Sequence, residues 1–450
     1  MNARKTVRSA IGGRPAFAAA AMFLLSFGPA SARAEPVKLG VDVLREENFA
    51  SLAGKKVGLV ANPASVDSAL RPTAEVLRGS DRCTLAAIFG PEHGVYGDEY
   101  AGMKVGDRTD ARTGLKIHSL YGATRKPTPA MLQGLDALVF DLQDIGSRSY
   151  TYISTMRECL EACAQAGIEF VVLDRPNPLG GRRIEGPPRV EKGFESFVSR
   201  LDVPYRHGMT MGELARWVRE RDAPSYSKLR VIPMKGWKRE MTWAQTGLAW
   251  MPTSPHLPKA ETCAAYAATG ILGELGAISN GVGYTSPFEL VGAPGVNPEV
   301  LAKAMQDYWL AAKTYYHHAA TGHVDLDMKE SRAPPGLRFL PARFKPFYGS
   351  FKGQPCGGVR LALDPREAEA LVEINFRLLD VLGAPKVFDG SSPGQKAMFD
   401  KCCGSGEPRR VLAKGGDLEA MFREWRSACA TFGEVRKPFL LYDDEENASR

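Results

Sequence analysis

The sequence predicts an α/β protein: a Rossmann-like parallel-sheet domain followed by a smaller α+β C-terminal domain. Three observations carry this expectation. Short apolar, β-branched runs recur at residues 56–61 (KVGLVA), 84–89 (TLAAIF), 137–142 (ALVFDL) and 170–173 (FVVL). They are too brief for helices and too uniformly apolar for half-exposed strands, so they suit strands buried on both faces. Helix-period segments lie between them, and a strand-helix-strand order implies right-handed crossovers and a parallel sheet. The texture then changes, with three prolines between Trp243 and Pro258, which places a domain boundary near residue 245.

Residues 1–34 stand apart from both domains, 35–245 and 246–450. Arg4, Lys5, Arg8 and Arg14 precede an apolar stretch at 16–27, and Ala32-Arg33-Ala34 fits a small-x-small cleavage site. This pattern predicts a secretory signal peptide cut near Ala34 and a periplasmic or secreted product. An apolar core of about a dozen residues falls short of the ~20 that span a bilayer, so no stable membrane insertion is expected after cleavage. The formal charge is +7, but five of the 58 basic residues and none of the 51 acidic ones lie in the leader. The remainder is nearly neutral and holds no Lys/Arg block, which gives no argument for nucleic-acid binding. All eight cysteines lie beyond the leader, where an oxidising compartment would permit pairing, and no Cys/His spacing points to zinc.

The elements follow in order. Residues 71–78 read as a short helix with Pro72 in its first turn. The strand at 84–89 stops at Gly90-Pro91 and presents Glu92 and His93. Residues 98–129 form a long polar excursion with one strand candidate at 115–121, and loops of that length are usually functional. A helix is expected at 150–166, closed by Gly167, and another at 209–221 with Thr210 and Glu213 as a capping box. Residues 229–234 make a last strand of the first domain. Beyond it, helices are expected at 261–275, 298–312 and 367–382, and a strand at 359–363.

Four strand ends deliver amide or acid groups: Asn62, then Glu92, then Asp141 with Asp144, then Asp174 with Arg175 and Asn177. In an open parallel sheet these ends share the edge where ligands bind. Each alone could cap a helix or shape a turn, but together they predict a polar crevice. After the first strand the chain reads Val60-Ala61-Asn62-Pro63-Ala64-Ser65 in place of G-x-G-x-x-G, and Walker A, G-x-S-x-G and H-E-x-x-H do not occur. Dinucleotide, P-loop, α/β-hydrolase and zincin chemistry therefore lack their signatures, and no cofactor or metal is expected. Acid–base chemistry by carboxylates is left. A Glu beside apolar walls can hold its proton near neutral pH, as glycoside cleavage requires. Glu92 is the candidate acid, with His93, Tyr96, Asp144 and Arg148 as neighbours.

The segments FGPEHG (89–94), FDLQDIGSRSYTY (140–152), LDRPNPLGG (173–181), RHGMTMGELA (206–215), PFELVGAP (287–294), CGGV (356–359) and RKPFLLYD (436–443) resemble the NamZ-type exo-β-N-acetylmuramidase family, over residues 39–443. The resemblance implies a Rossmann-like domain joined to a smaller one with the sugar held between them. It also implies release of N-acetylmuramic acid from non-reducing ends of peptidoglycan fragments, without metal or nucleotide. Carried over by motif, Glu92 is the acid, and His93, Asp144, Arg148 and Asn177 line the site. Asn62, Tyr96, Asp141, Asp174, Arg175 and Glu289 of PFELVGAP complete the expected binding set. Asp144 is the expected partner of Glu92, with the substrate's 2-acetamido group as the competing account. One departure stands out: where the family reads S-x-G-R-G-T, this chain has Ser279-Asn280-Gly281-Val282-Gly283-Tyr284. A bidentate arginine would suit the lactyl carboxylate of muramic acid. With Val282 in its place, the expectation passes to Arg148, Arg175 or Arg182, to acceptance of another sugar, or to a weak enzyme or a muropeptide-binding protein.

Overall fold

Strands β1 (Lys56–Val60), β2 (Thr84–Gly90), β3 (Arg108–Thr109), β4 (Lys116–Ser119), β5 (Ala137–Phe140), β6 (Glu169–Leu173) and β7 (Leu229–Ile232) join one sheet in the order β3-β4-β2-β1-β5-β6-β7. The structure, a computed structural model, describes residues 36–321, 336–364, 366 and 369–442. The expected leader and Asp443 of the RKPFLLYD segment lie outside the described residues. Every pairing in this sheet is parallel except that of β3 with β4. Without β3 the order is the doubly wound one, and it reverses between β1 and β5. Val60 pairs with both Phe89 and Phe140, so the central strands end level and bring Asn62, Glu92 and Asp141 to one edge.

The sheet is buried on both faces, which explains the uninterrupted apolar runs. Val57, Leu59, Val139, Val171 and Leu173 enter one apolar cluster, while Val60, Leu138, Phe140, Phe170 and Val172 enter the other. The helix Tyr152–Ala166 ends at Gly167 with φ 67°, and Met211–Asp222 starts from the Thr210/Glu213 capping box, both as the sequence predicts. Some helix starts differ. Pro72 precedes the helix Thr73–Arg78, and the helix expected from 367 begins at Glu373. Ala370 adopts φ 53°, a left-handed backbone that cannot continue a helix, while residues 367 and 368 lie outside the described residues.

The smaller region is built on an antiparallel sheet of β8 (Leu290–Ala293), β9 (Leu337–Phe344) and β10 (Cys356–Leu363), in the order β8-β10-β9. Its β9 is hard to read in advance because LRFLPARF mixes arginines with Pro341; an edge strand tolerates that proline. The helix Pro298–Thr321 packs on this sheet, and five further helices run from Glu373 to Val435. One apolar cluster runs continuously from Phe140 and Leu160 to Phe376, Phe399 and Trp425. All eight cysteines are buried and free. Among the described residues no helix is long and apolar enough to cross a membrane.

Residues 436–442 return to the first sheet. The Arg436 guanidinium donates to the carbonyls of Gly181 (2.7 Å), His207 (3.0 Å) and Gly208 (2.6 Å). The Tyr442 hydroxyl donates to Asp174 Oδ2 at 2.6 Å, beside Thr210 Oγ1 at 2.7 Å, and Gly212 N donates to Oδ1 at 2.8 Å. Burial still pushes the Asp174 carboxyl up from its ordinary 3.8 to about 6, against the pull of these donors. The folded chain thus keeps this proton longer than the unfolded chain, and the group withdraws stability as pH rises from about 4 to about 6. Tyr442→Phe removes a donor that favours the ionised form. We expect a loss of about 1–3 kcal/mol near pH 7.5 and a smaller loss near pH 4.5, measured by urea unfolding.

Candidate active site

Pro91 has no N–H with which to extend β2, so the chain leaves the sheet at Gly90. It then bends through His93 (φ 69°), Gly94 (φ 76°) and Gly97 (φ 68°). A left-handed backbone is strained at a histidine, and strain of this kind clusters at functional sites. The bend is held by His93 Nδ1, 2.9 Å from the carbonyl oxygen of Glu99. It leaves Glu92 only 8% exposed. Both carboxyl oxygens find donors: Gly102 N at 2.8 Å from Oε1 and the Thr151 hydroxyl at 2.7 Å from Oε2. Thr151 immediately precedes the helix Tyr152–Ala166, yet its side chain makes no capping bond. Its hydroxyl serves Glu92 instead, which ties the carboxylate to the residue where the helix begins. The long excursion reaches this carboxyl too, since it supplies Gly102.

A polar layer supports this turn. Asn62 Nδ2 donates to the Tyr152 hydroxyl (3.0 Å) and to the Thr253 carbonyl (2.8 Å), and its Oδ1 accepts from Ala64 N (3.0 Å). The Tyr152 hydroxyl donates to the same Thr253 carbonyl at 2.7 Å and lies 3.4 Å from the Glu92 carbonyl oxygen. Tyr121 is buried and interacts through its side chain with both Glu92 and Arg125; burial and the Glu92 charge push its hydroxyl up to about 12.

Glu274, in the short turn Leu272–Glu274, is absent from the expected set. It is half-buried, and its carboxyl has no hydrogen-bond partner among the described residues. Burial, and then the charge of Glu92, push it up from 4.5 to about 7. An acid set between glycines in the apolar run ILGELGAI was the available signal, but the stretch reads as part of a helix. An exposed aromatic pair includes Tyr100, two residues before the Gly102 N–H that serves Glu92. Tyr100 and Tyr348 are 67% and 40% exposed with centroids 6.2 Å apart, and His256 Nε2 lies 2.6 Å from the Tyr348 hydroxyl.

Several expected binding residues form the framework under this site. Arg175 is buried and holds Asp141 with Nε (2.6 Å) and Nη2 (2.9 Å), while Thr73 Oγ1 donates to Asp141 at 2.5 Å. Asp174 serves Tyr442 and the capping box, as described above. Arg148 is fully buried and donates to the carbonyls of Pro187 (3.1 Å), Val203 (2.7 Å), Cys402 (3.2 Å) and Cys403 (2.6 Å). Asn177 bridges Met209 O and Leu179 N, and only a glycine fits at 146, where a Cβ would lie 2.4 Å from Asn177 Oδ1. Asp144 accepts from Gly146 N at 2.8 Å and lies 3.4 Å from His207 Nε2. The Tyr96 hydroxyl donates to Asp110 at 2.7 Å, and Glu289 pairs with Lys259 (2.6 Å) and Arg360 (3.4 Å). The structure thus gathers Glu92, His93 and Asn62, and sets Asp141, Asp174, Arg175 and Arg148 among internal partners.

Comparison with known proteins agrees with this architecture. Sequence models of the exo-β-N-acetylmuramidase NamZ match in two parts, the N-terminal over residues 57–261 and the C-terminal over residues 264–442. The peptidoglycan β-N-acetylmuramidase NamZ of Bacillus subtilis (strain 168) is 37% identical over 414 residues, which cover 92% of this chain and 93% of that one. A solved DUF1343 family protein from Bacteroides fragilis NCTC 9343 superposes with a TM-score of 0.79 at 41% identity, covering 91% of this chain and 99% of its own. A second from the same organism gives 0.69 at 25% identity, covering 91% and 100%. With both halves matched in order and nearly the whole length shared, the chain belongs to the NamZ exo-β-N-acetylmuramidase family.

Proposed function

We propose that this protein is an exo-acting glycosidase that releases N-acetylmuramic acid from the non-reducing ends of peptidoglycan fragments. One observation carries the reading: two electrostatically coupled carboxyl groups in opposite surroundings. Glu92 has a donor on each oxygen, the Gly102 N–H and the Thr151 hydroxyl, which suits it to bear negative charge. Glu274 has no such donors and is pushed up by burial and by Glu92, which suits it to carry the proton. The sequence expectation gave the acid role to Glu92; the hydrogen bonds favour the reverse division of labour, with Glu274 rather than Asp144 as partner.

In this mechanism Glu274 passes its proton to the departing sugar oxygen as the bond from the anomeric carbon breaks. The Glu92 carboxylate opposes the positive charge that grows on that carbon, and a water molecule then adds to it while returning a proton to the Glu274 carboxylate, which yields the free sugar and restores the acid. Glu92 comes from residues 35–245 and Glu274 from residues 246–450, so the two proposed domains each bring one acid. The exposed rings of Tyr100 and Tyr348 offer flat apolar faces for the rest of a glycan. The leader at 1–34 supports the matching location, the periplasm or the exterior, where wall fragments occur.

Glu92→Gln is expected to lower sugar release from a defined muropeptide disaccharide at least about 100-fold while leaving its affinity within a few-fold. An unchanged rate would remove Glu92 from the chemistry. Because Glu274 must be protonated to act, kcat/KM should fall as pH rises above about 7, and Glu274→Gln should abolish that alkaline limb along with most of the activity. The Glu92→Gln protein should also show the Glu274 carboxyl titrating at lower pH, since a neighbouring like charge is gone. Carbon NMR of labelled glutamate reads this directly, and an unmoved midpoint would refute the coupling.

A further inference from the structure

N-acetylmuramic acid carries a lactyl carboxylate that N-acetylglucosamine lacks, and a cation that pairs with this carboxylate would tell the two apart. Position 282 supplies none, since Val282 packs against the apolar core. Arg148 is committed to four backbone carbonyls and Arg175 to Asp141. Arg182 lies 3.5 Å from Glu240, and Lys259 and Arg360 both pair with Glu289. Arg125 differs from all of these. It is exposed, and among the described residues no carboxylate pairs with it. Its guanidinium carbon sits 4.7 Å from the Tyr121 ring centroid and 4.5 Å from that of Phe197, wedged at two rings 5.9 Å apart. Stacking on both rings fixes the guanidinium while leaving N–H donors free for a planar anion. Tyr121 is also the link to the acids, because its side chain meets Arg125 on one hand and Glu92 on the other.

We propose that Arg125 binds the lactyl carboxylate of the N-acetylmuramic residue seated at Glu92, and so separates muramic acid from glucosamine in this protein. The choice of sugar rests on the glycosidase reading; the vacant, ring-held guanidinium does not. Two N–H groups on a rigid plane match the two oxygens of a carboxylate, a fit that a lysine ammonium reproduces only as a point charge.

Calorimetric titration of the full chain with N-acetylmuramic acid and with N-acetylglucosamine tests this. Arg125→Met should weaken N-acetylmuramic acid about 10- to 100-fold and leave N-acetylglucosamine within about twofold, and Arg125→Lys should recover part of the loss. Equal affinity of Arg125→Met and the unaltered chain for N-acetylmuramic acid would overturn the proposal, as would equal losses for the two sugars. Binding is read here without turnover. A chain that holds N-acetylmuramic acid through Arg125 yet releases no sugar from a disaccharide would support this proposal and refute the glycosidase reading alone.

Discussion

A carboxylate with 8% of its surface left must find its donors inside the protein, and the surroundings of Glu92 are arranged to meet that need. Pro91 ends the strand, a left-handed His93 turns the chain, and the excursion after Asp98 brings Gly102 N–H to one oxygen. Thr151 gives up the usual task of a helix-capping hydroxyl to reach the other. Remove either donor and the buried charge loses its compensation, so the bend, the excursion and the helix start act as one unit.

The same physics accounts for the internal partners of the other acids and arginines at this sheet edge. A buried charge is tolerated when it is paired and its remaining hydrogen-bond capacity is filled. Asp141 with Arg175 and Asp174 with Tyr442 and Thr210 satisfy that condition internally, and Arg148 spends both terminal nitrogens on four carbonyls. Their partners are saturated, which makes them a scaffold. Glu274 stands out because no donor among the described residues reaches its carboxyl, and Arg125 because no carboxylate among them pairs with its guanidinium.

This contrast marks what could be read in advance. The large sheet was legible because double burial writes itself as short apolar runs, and Glu92 was legible because Gly-Pro-Glu-His after such a run admits few structures. Helix starts drifted where a single residue such as Ala370 took a left-handed backbone, which no periodicity reveals. The sequence placed acids and arginines at the edge but could not say which would neutralise one another, since that depends on contacts across 34 residues for Asp141 and Arg175 and 255 for Arg148 and Cys403. Glu274 was hidden for a related reason: it acquires its character first from burial in the folded chain and then from Glu92, which is far away in the sequence.

The return of residues 436–442 to the first sheet has a consequence for how the chain is made. Asp174, Gly181 and Gly208 receive partners that are translated more than two hundred residues later. A nascent polypeptide emerging in order therefore carries an unfinished sheet edge until its closing stretch has left the ribosome. A premature stop just before Arg436 would spare Glu92 and Glu274 and still leave that seam open, so quality control would meet a half-closed molecule with both candidate acids intact.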